Sequence, residues 1–215
     1  LSRRFILSGD VDVLINVADA SCLERNLFLT LQLIELGKPV VLALNMMDIV
    51  SERGMEIDMH RLPEMLGIPV VPVSARKRRG LDILMHTAVH HKGKSSDALE
   101  HQHKTKSSHR HNHHAEYAVV YSDKIEDLID AVIERFHSRK IAVPNERWYA
   151  IKVLEHDEEI LEELKTDFSD IVPRSYEKDI INQKYDFIEE IIAEVLVNKN
   201  TKQAKTDKID RLLTH

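Results

Sequence analysis

Pro39-Val-Val-Leu-Ala-Leu-Asn-Met-Met-Asp48 is the stretch on which the fold turns. Val40 to Leu44 is an unbroken apolar run rather than an alternation. Such a run is expected of a strand buried on both faces in a parallel sheet. Asn45 and Asp48 then fall in the loop beyond the strand's carboxyl end, where open α/β sheets bind their ligands. Taken alone, an Asn and an Asp at this spacing also fit a plain helix-capping turn.

A second signal lies one helix further on. Ile68 to Val73 is another buried run, and it ends in Ser74-Ala75. The two motifs, in this order and with one helix between them, resemble the base-reading loops of GTPases. The residue types suit that chemistry. Guanine offers its N1–H and 2-amino group side by side, and one ionised carboxylate, Asp48, accepts both. Adenine presents a bare acceptor at N1 and has no such amino group. Charge-assisted hydrogen bonds contribute roughly 1.5–3 kcal/mol each, and a site built around a polar group rejects analogues that lack it. The resemblance implies that Asn45 binds the imidazole edge of the base. It also implies that Ser74-Ala75 supports the base loop, with the Ala75 backbone N–H bonding guanine O6.

Working outward, Asp12 to Ala18 reads as a first strand. Ser21 and Glu24 have the spacing of a capping box, opening a helix striped by Leu23, Leu27, Leu31 and Ile34 and ended by Gly37 and Pro39. A polar loop is expected after residue 44, then a helix over Asp58 to Leu66 with Pro63 inside it. Gly80 opens a further helix with Leu81, Leu84, Met85 and Ala88 on one face. Strand and helix in alternation predict a parallel sheet with right-handed crossovers. With only three strands, one sheet edge should lack neighbours and invite association. Marginal stability is therefore expected for residues 1–92.

The pattern GxxxxGK[ST], which cradles phosphates in nucleotide-binding loops, does not occur in the sequence. Gly93-Lys94-Ser95 is the nearest approach, but Ala88 stands where the first Gly would be, and the segment follows a helix rather than a strand. Ahead of Asp12 there is also no Asp-x-x-Gly of the kind that holds magnesium and senses the third phosphate. The chain carries the guanine-reading motifs without the catalytic ones, so no catalytic residue is assigned and the Mg2+ site is expected to be missing.

At 215 residues with a formal charge of −6, and with Lys and Arg mixed among the acids, the chain has no basic footprint for nucleic acid. Its one Cys, Cys22, excludes an internal disulfide framework and suits a reducing compartment. Cys22 lies near a helix start and reads most simply as a small packing residue. No apolar run approaches the roughly 18 residues of a membrane span, and no signal peptide opens the chain. Residue 1 is Leu, not Met, which suggests a piece of something longer.

Composition shifts sharply over His86 to His114, which holds nine of the thirteen His. Residues 93–114 read as a His-rich linker. Within it His109, His111, His113 and His114 are candidate ligands for Fe2+ or Zn2+ through neutral imidazoles. From residue 115 to 200 a small all-helical domain is expected. Its stripes are Ile125, Leu128, Ile129, Val132, Ile133 and Phe136, then Arg147 to Leu154 continued through the acidic stretch 155–163. Last comes a helix capped by Ser175 with Ile181, Tyr185, Ile188, Ile192 and Val195 inward. This part should fold alone.

Leu23-Glu-Arg-Asn-Leu-Phe-Leu-Thr-Leu-Gln-Leu33, Ala43-Leu-Asn-Met-Met-Asp48, Val73-Ser-Ala-Arg-Lys77 and Arg147-Trp-Tyr-Ala-Ile-Lys-Val-Leu-Glu155 together resemble the cytosolic N-terminal region of the FeoB-type bacterial ferrous iron transporters. Met46, where small GTPases usually carry Lys, is similar to that family and joins the implied guanine-binding set. The resemblance implies an α/β fold, a partial P-loop GTPase-type parallel sheet with flanking helices over residues 1–92. A helical spacer (GDI-like) domain over 115–200 and a segment, 201–215, leading to a membrane permease domain would follow. It implies GTP or GDP as ligand and GTP hydrolysis in the intact protein, though not in these residues alone. It also implies a place on the cytoplasmic side of the bacterial membrane. The permease domain and small cytosolic iron-transport proteins are the implied partners, and a homo-oligomer is admitted. A non-enzymatic helical adaptor and a His-rich metal-binding arm are the competing readings.

Overall fold

The computed structural model describes residues 2–7, 11–92 and 119–198. The linker with its His tract, Gly93-Lys94-Ser95 and the segment from 201 onward lie outside them. After a short helix α1 (Ser2–Leu7) come strand β1 (Leu14–Asp19), helix α2 (Leu23–Glu35), strand β2 (Val40–Asn45), helix α3 (Met47–Glu52) and strand β3 (Met55–Ile57). Helix α4 (Arg61–Leu66), strand β4 (Val70–Pro72) and helix α5 (Leu81–His91) complete the first part. Helices α6 (Asp123–Arg139), α7 (Glu146–Glu155), α8 (Glu158–Leu164) and α9 (Glu177–Val195) follow, and strand β5 (Leu196–Asn198) ends the described chain.

β1, β2 and β4 form a parallel sheet with β2 in the middle. The central strand shows why its sequence does not alternate. Val40, Leu42 and Leu44 enter the large core beneath α2 and α4, whereas Val41 and Ala43 face Val71, Val73 and Leu84 on the other side. All five are buried. The second face is thinly covered. Val17 on β1 is 62% exposed and Val89 on α5 is 65% exposed, and Ile15, Leu81, Ile83 and Met85 are exposed with them. Of the α5 face expected from the sequence, Leu84 and Ala88 are buried but Leu81 and Met85 are not.

Several local expectations give way to a competing interaction. Ser21 and Glu24 form no capping box. Ala20 to Cys22 make a 3₁₀ turn, the Ser21 backbone N–H donates to Asp19 Oδ1 at 2.8 Å, and α2 starts after Cys22 without a side-chain cap. The polar loop beyond residue 44 is instead α3 and β3, because Met46 takes a left-handed conformation (φ 65°) that turns the chain straight into a helix. Helix α4 starts at Arg61, and Asp58 Oδ1 accepts the backbone N–H groups of His60 and Arg61. Pro63 then falls in the first turn, where no intrahelical donor is lost.

The helix expected to run through residues 155–163 breaks at His156 (φ 58°), and α8 restarts on the cap of Asp157. Ser175 Oγ accepts the Glu177 N–H at 3.3 Å, close to its expected capping role. The buried side of α9 is Ile180, Lys184, Ile188, Ile191 and Val195; of the expected stripe Ile188 and Val195 are buried and Ile192 packs partly buried against the core, whereas Tyr185 is exposed. Lys184 is accommodated on this face by a salt bridge to Glu35 on α2.

The helical part follows as expected, ends in the short strand β5 and packs against the sheet. β5 pairs antiparallel with β3, with Ile57 opposite Leu196. One continuous core runs from Leu27, Leu31 and Leu62 to Ile129, Phe136, Trp148 and Ile188. A part that shares its core and a sheet ladder with residues 1–92 does not bury its apolar faces alone.

Candidate functional site

The residues singled out in the sequence converge at the carboxyl ends of β2 and β4. Parallel register sets Asp19 level with Asn45, and Leu44 level with Pro72. The two loops beyond the strands therefore start side by side. Asn45 Oδ1 accepts the backbone N–H of Ala75 at 3.1 Å, which ties the first loop to the second. Met46, left-handed and exposed, forms the bend between them and α3. That bend places Asp48 in the first turn of α3.

The second loop is a tight hairpin. Ser74 is buried, and its backbone N–H donates to Arg79 O at 3.1 Å, while Arg78 takes a positive φ of 50° at the turn. Gly80 closes the hairpin against the sheet. Its φ is 76°, and a Cβ there would lie 2.4 Å from Pro72 O, so only glycine fits. The hairpin carries Arg76, Lys77, Arg78 and Arg79 in succession. Lys77 Nζ reaches Asp48 Oδ2 at 3.2 Å. This ammonium, together with the backbone N–H groups of Asp48 and Ile49, holds the Asp48 carboxyl below the usual carboxylate range.

Asn45, Met46, Asp48, Ser74 and Ala75 thus lie together at one edge of the sheet. Lys77 is the addition that sequence reasoning missed. A cation two residues after Ala75 was visible, but its reach back to Asp48 depends on the positive φ at Arg78. What is assembled is an ionised acceptor, an amide held by the neighbouring loop, and a basic rim. This donor set suits the edge of a guanine base. The pattern GxxxxGK[ST] does not occur in the sequence. The candidate metal ligands His109, His111, His113 and His114 lie outside the described residues, which contain no group of three or more His, Cys, Asp or Glu able to hold a metal ion.

A parallel sheet with two loops tied together at its carboxyl ends, sharing its core with a helical unit, defines a G-domain-type module with a helical appendage. Comparison with known proteins agrees at both ends. Residues 1–88 match the family described as ferrous iron transport protein B, and residues 121–197 match the FeoB cytosolic helical domain. The Fe(2+) transporter FeoB of Salmonella typhimurium is 38% identical over 157 residues, covering 73% of this chain and 18% of the relative. That of Escherichia coli K12 is 46% identical over 101 residues, covering 47% of this chain and 13% of the relative.

Among solved structures, a GDP-bound point mutant of the S. thermophilus FeoB G-domain superposes with a TM-score of 0.75 at 31% identity, covering 91% of this chain and 74% of that one. The apo cytosolic domain of the T. maritima FeoB iron transporter gives 0.73 at 29% identity, covering 91% and 71%. The chain belongs to the FeoB family of ferrous iron transport proteins and spans the N-terminal G domain and the helical domain. It covers less than a fifth of the length of these two curated relatives. No helix among the described residues is long and apolar enough to cross a membrane.

Proposed function

We propose that this chain is the guanine-reading and helical portion of the cytosolic region of a GTP-dependent ferrous iron transporter, lying at the cytoplasmic face of a bacterial membrane beside its permease domain. The observation that carries the nucleotide reading is the pairing of the two loops, Ala75 N–H on Asn45 and Lys77 on Asp48, at the sheet edge where such folds bind ligands. In this reading Asp48 accepts N1–H and the 2-amino group of guanine, and Asn45 takes the imidazole edge. Ala75 donates to O6, Ser74 props the loop, and Met46 sits against the base.

Solved relatives carrying GDP or mGMPPNP support nucleotide binding over a non-enzymatic adaptor role. Phosphates, cradled by backbone N–H groups, a Lys and magnesium, supply most nucleotide affinity. These 215 residues alone therefore bind guanine nucleotides weakly, and hydrolysis belongs to the intact protein.

The test is binding of fluorescent GDP, with GDP and ADP as competitors, to this chain and to the same chain extended through its upstream coding region. Binding in the extended protein alone, displaced by GDP and not by ADP, supports the proposal. No binding in either refutes it. The His tract is read separately as a loose collector of Fe2+ or Zn2+. Unchanged metal uptake after deletion of residues 101–114 would refute that role.

A further inference from the structure

Outside the sheet edge, α5 carries a pair of imidazoles that neither the base loops nor the core uses. His86 and His90 are four residues apart on one face of an eleven-residue helix, and both are exposed. Side chains at this spacing stand one above the other. The two rings are stacked, with centroids 4.0 Å apart and planes inclined at 26°. His90 Nδ1 lies 2.9 Å from the backbone oxygen of His86. A carbonyl oxygen can only accept, so Nδ1 carries the proton and the lone pair of the neutral ring sits on Nε2. A ring nitrogen tied to a backbone carbonyl while the other is left free is the arrangement that orients metal-ligating histidines.

We propose that His86 and His90 form a two-imidazole chelating site for a borderline divalent transition-metal ion such as Zn2+, Ni2+, Cu2+ or Fe2+. Neutral imidazole suits these ions, while Mg2+ and Ca2+ want oxygen ligands. Zn–N bonds of about 2.0–2.1 Å at a tetrahedral angle need two nitrogens roughly 3.4 Å apart. With His90 held by its carbonyl bond and the centroids 4.0 Å apart, the His86 ring has to turn out of the stack to bring its in-plane lone pair onto the shared ion. His90 also lies in the last turn of α5, whose unpaired carbonyls favour a cation. No third His, Cys, Asp or Glu joins the pair among the described residues. Two imidazoles alone leave the ion positions for water or an incoming ligand.

A Zn2+ titration of the whole 215-residue chain at buffered free metal, followed by NMR of the histidine side chains, tests this. Signals are assigned with His86→Gln and His90→Gln. The two imidazoles are expected to respond together and to saturate with one Zn2+ between them. In either single variant the remaining ring should need about tenfold more free Zn2+, because the chelate is lost. The α5 amide signals check that each variant keeps its helix. Rings that respond at the same free Zn2+ with or without the neighbour would overturn the proposal. So would rings that stay silent while the signals of the His-rich linker move.

Discussion

Replacing Glu35 with Ala should be among the most damaging single changes that touch no ligand-facing residue. Glu35 ends α2, and three segments of the helical part close on it. Lys184 Nζ donates to its Oε2 at 2.8 Å, the Tyr121 hydroxyl donates to its Oε1, and Asn145 Nδ2 donates to its backbone oxygen at 3.0 Å. Lys184 is only 1% exposed. Burial and the Glu35 carboxylate together push the Tyr121 hydroxyl far above its ordinary pKa, so it stays a donor. Without Glu35, the nearest carboxylate to Lys184 is Glu155 at 4.0 Å, which already pairs with Lys152. Removing one partner of a buried pair costs about 3–5 kcal/mol, and losing the Tyr121 bond adds about 1 kcal/mol.

Partial rescue by Glu155 argues for the lower end, about 3–4 kcal/mol. For a chain of this size that corresponds to a Tm lowered by roughly 6–16 °C. Thermal and urea unfolding of Glu35→Ala, Glu35→Gln, Lys184→Met and the double variant Glu35→Gln/Lys184→Met provide the measurement. The double variant should recover most of the loss, since replacing both partners is often neutral. A loss below about 1 kcal/mol for Glu35→Ala, the value of an exposed pair, would refute the reasoning. Strictly additive losses in the double variant would refute it too.

Gly80→Ala should destabilise by about 1–3 kcal/mol, because φ is 76° and the new Cβ meets Pro72 O; an unchanged urea midpoint would contradict the backbone argument. Lys77→Ala should raise the Asp48 titration midpoint, followed by its carboxyl NMR signal, toward the ordinary value of about 3.9. The sign follows from the depressed carboxyl: the Asp48–Lys77 pair is intact above the ordinary carboxylate pKa and is lost only as pH falls through the lowered one. Val17→Thr with Met85→Lys should suppress self-association at high concentration without lowering Tm, because both side chains are exposed. Light scattering and thermal unfolding decide it.

The parallel sheet and the base-loop residues were legible because they rest on local signals. The doubly buried run Val40 to Leu44, the glycine stop at Gly37, the helix start at Gly80, and the motifs at 45–48 and 74–75 each declare themselves within a few residues. What the sequence concealed arises from partners distant along the chain. Lys184 lies on a helix where periodicity alone reads a charged residue as solvated and selects Ile181 and Tyr185 for the core. Lys184 is buried because it meets Glu35, 149 positions away. Arg147 likewise lies within a recognisable motif, yet its role appears only when its guanidinium meets both oxygens of Glu126 at 2.6 and 2.7 Å, while Glu126 Oε1 also accepts the Tyr121 N–H.

β3 and β5 are three residues each and become strands only by pairing with one another. These long-range contacts also join the two parts of the chain. With Lys184, Tyr121 and Asn145 fixed to the end of α2, and β5 on β3, the helical part is bound to the flank of the nucleotide-type sheet. The end of α2 is thus one of several places where the two parts meet, beside the β3–β5 ladder and the Arg61–Glu194 pair.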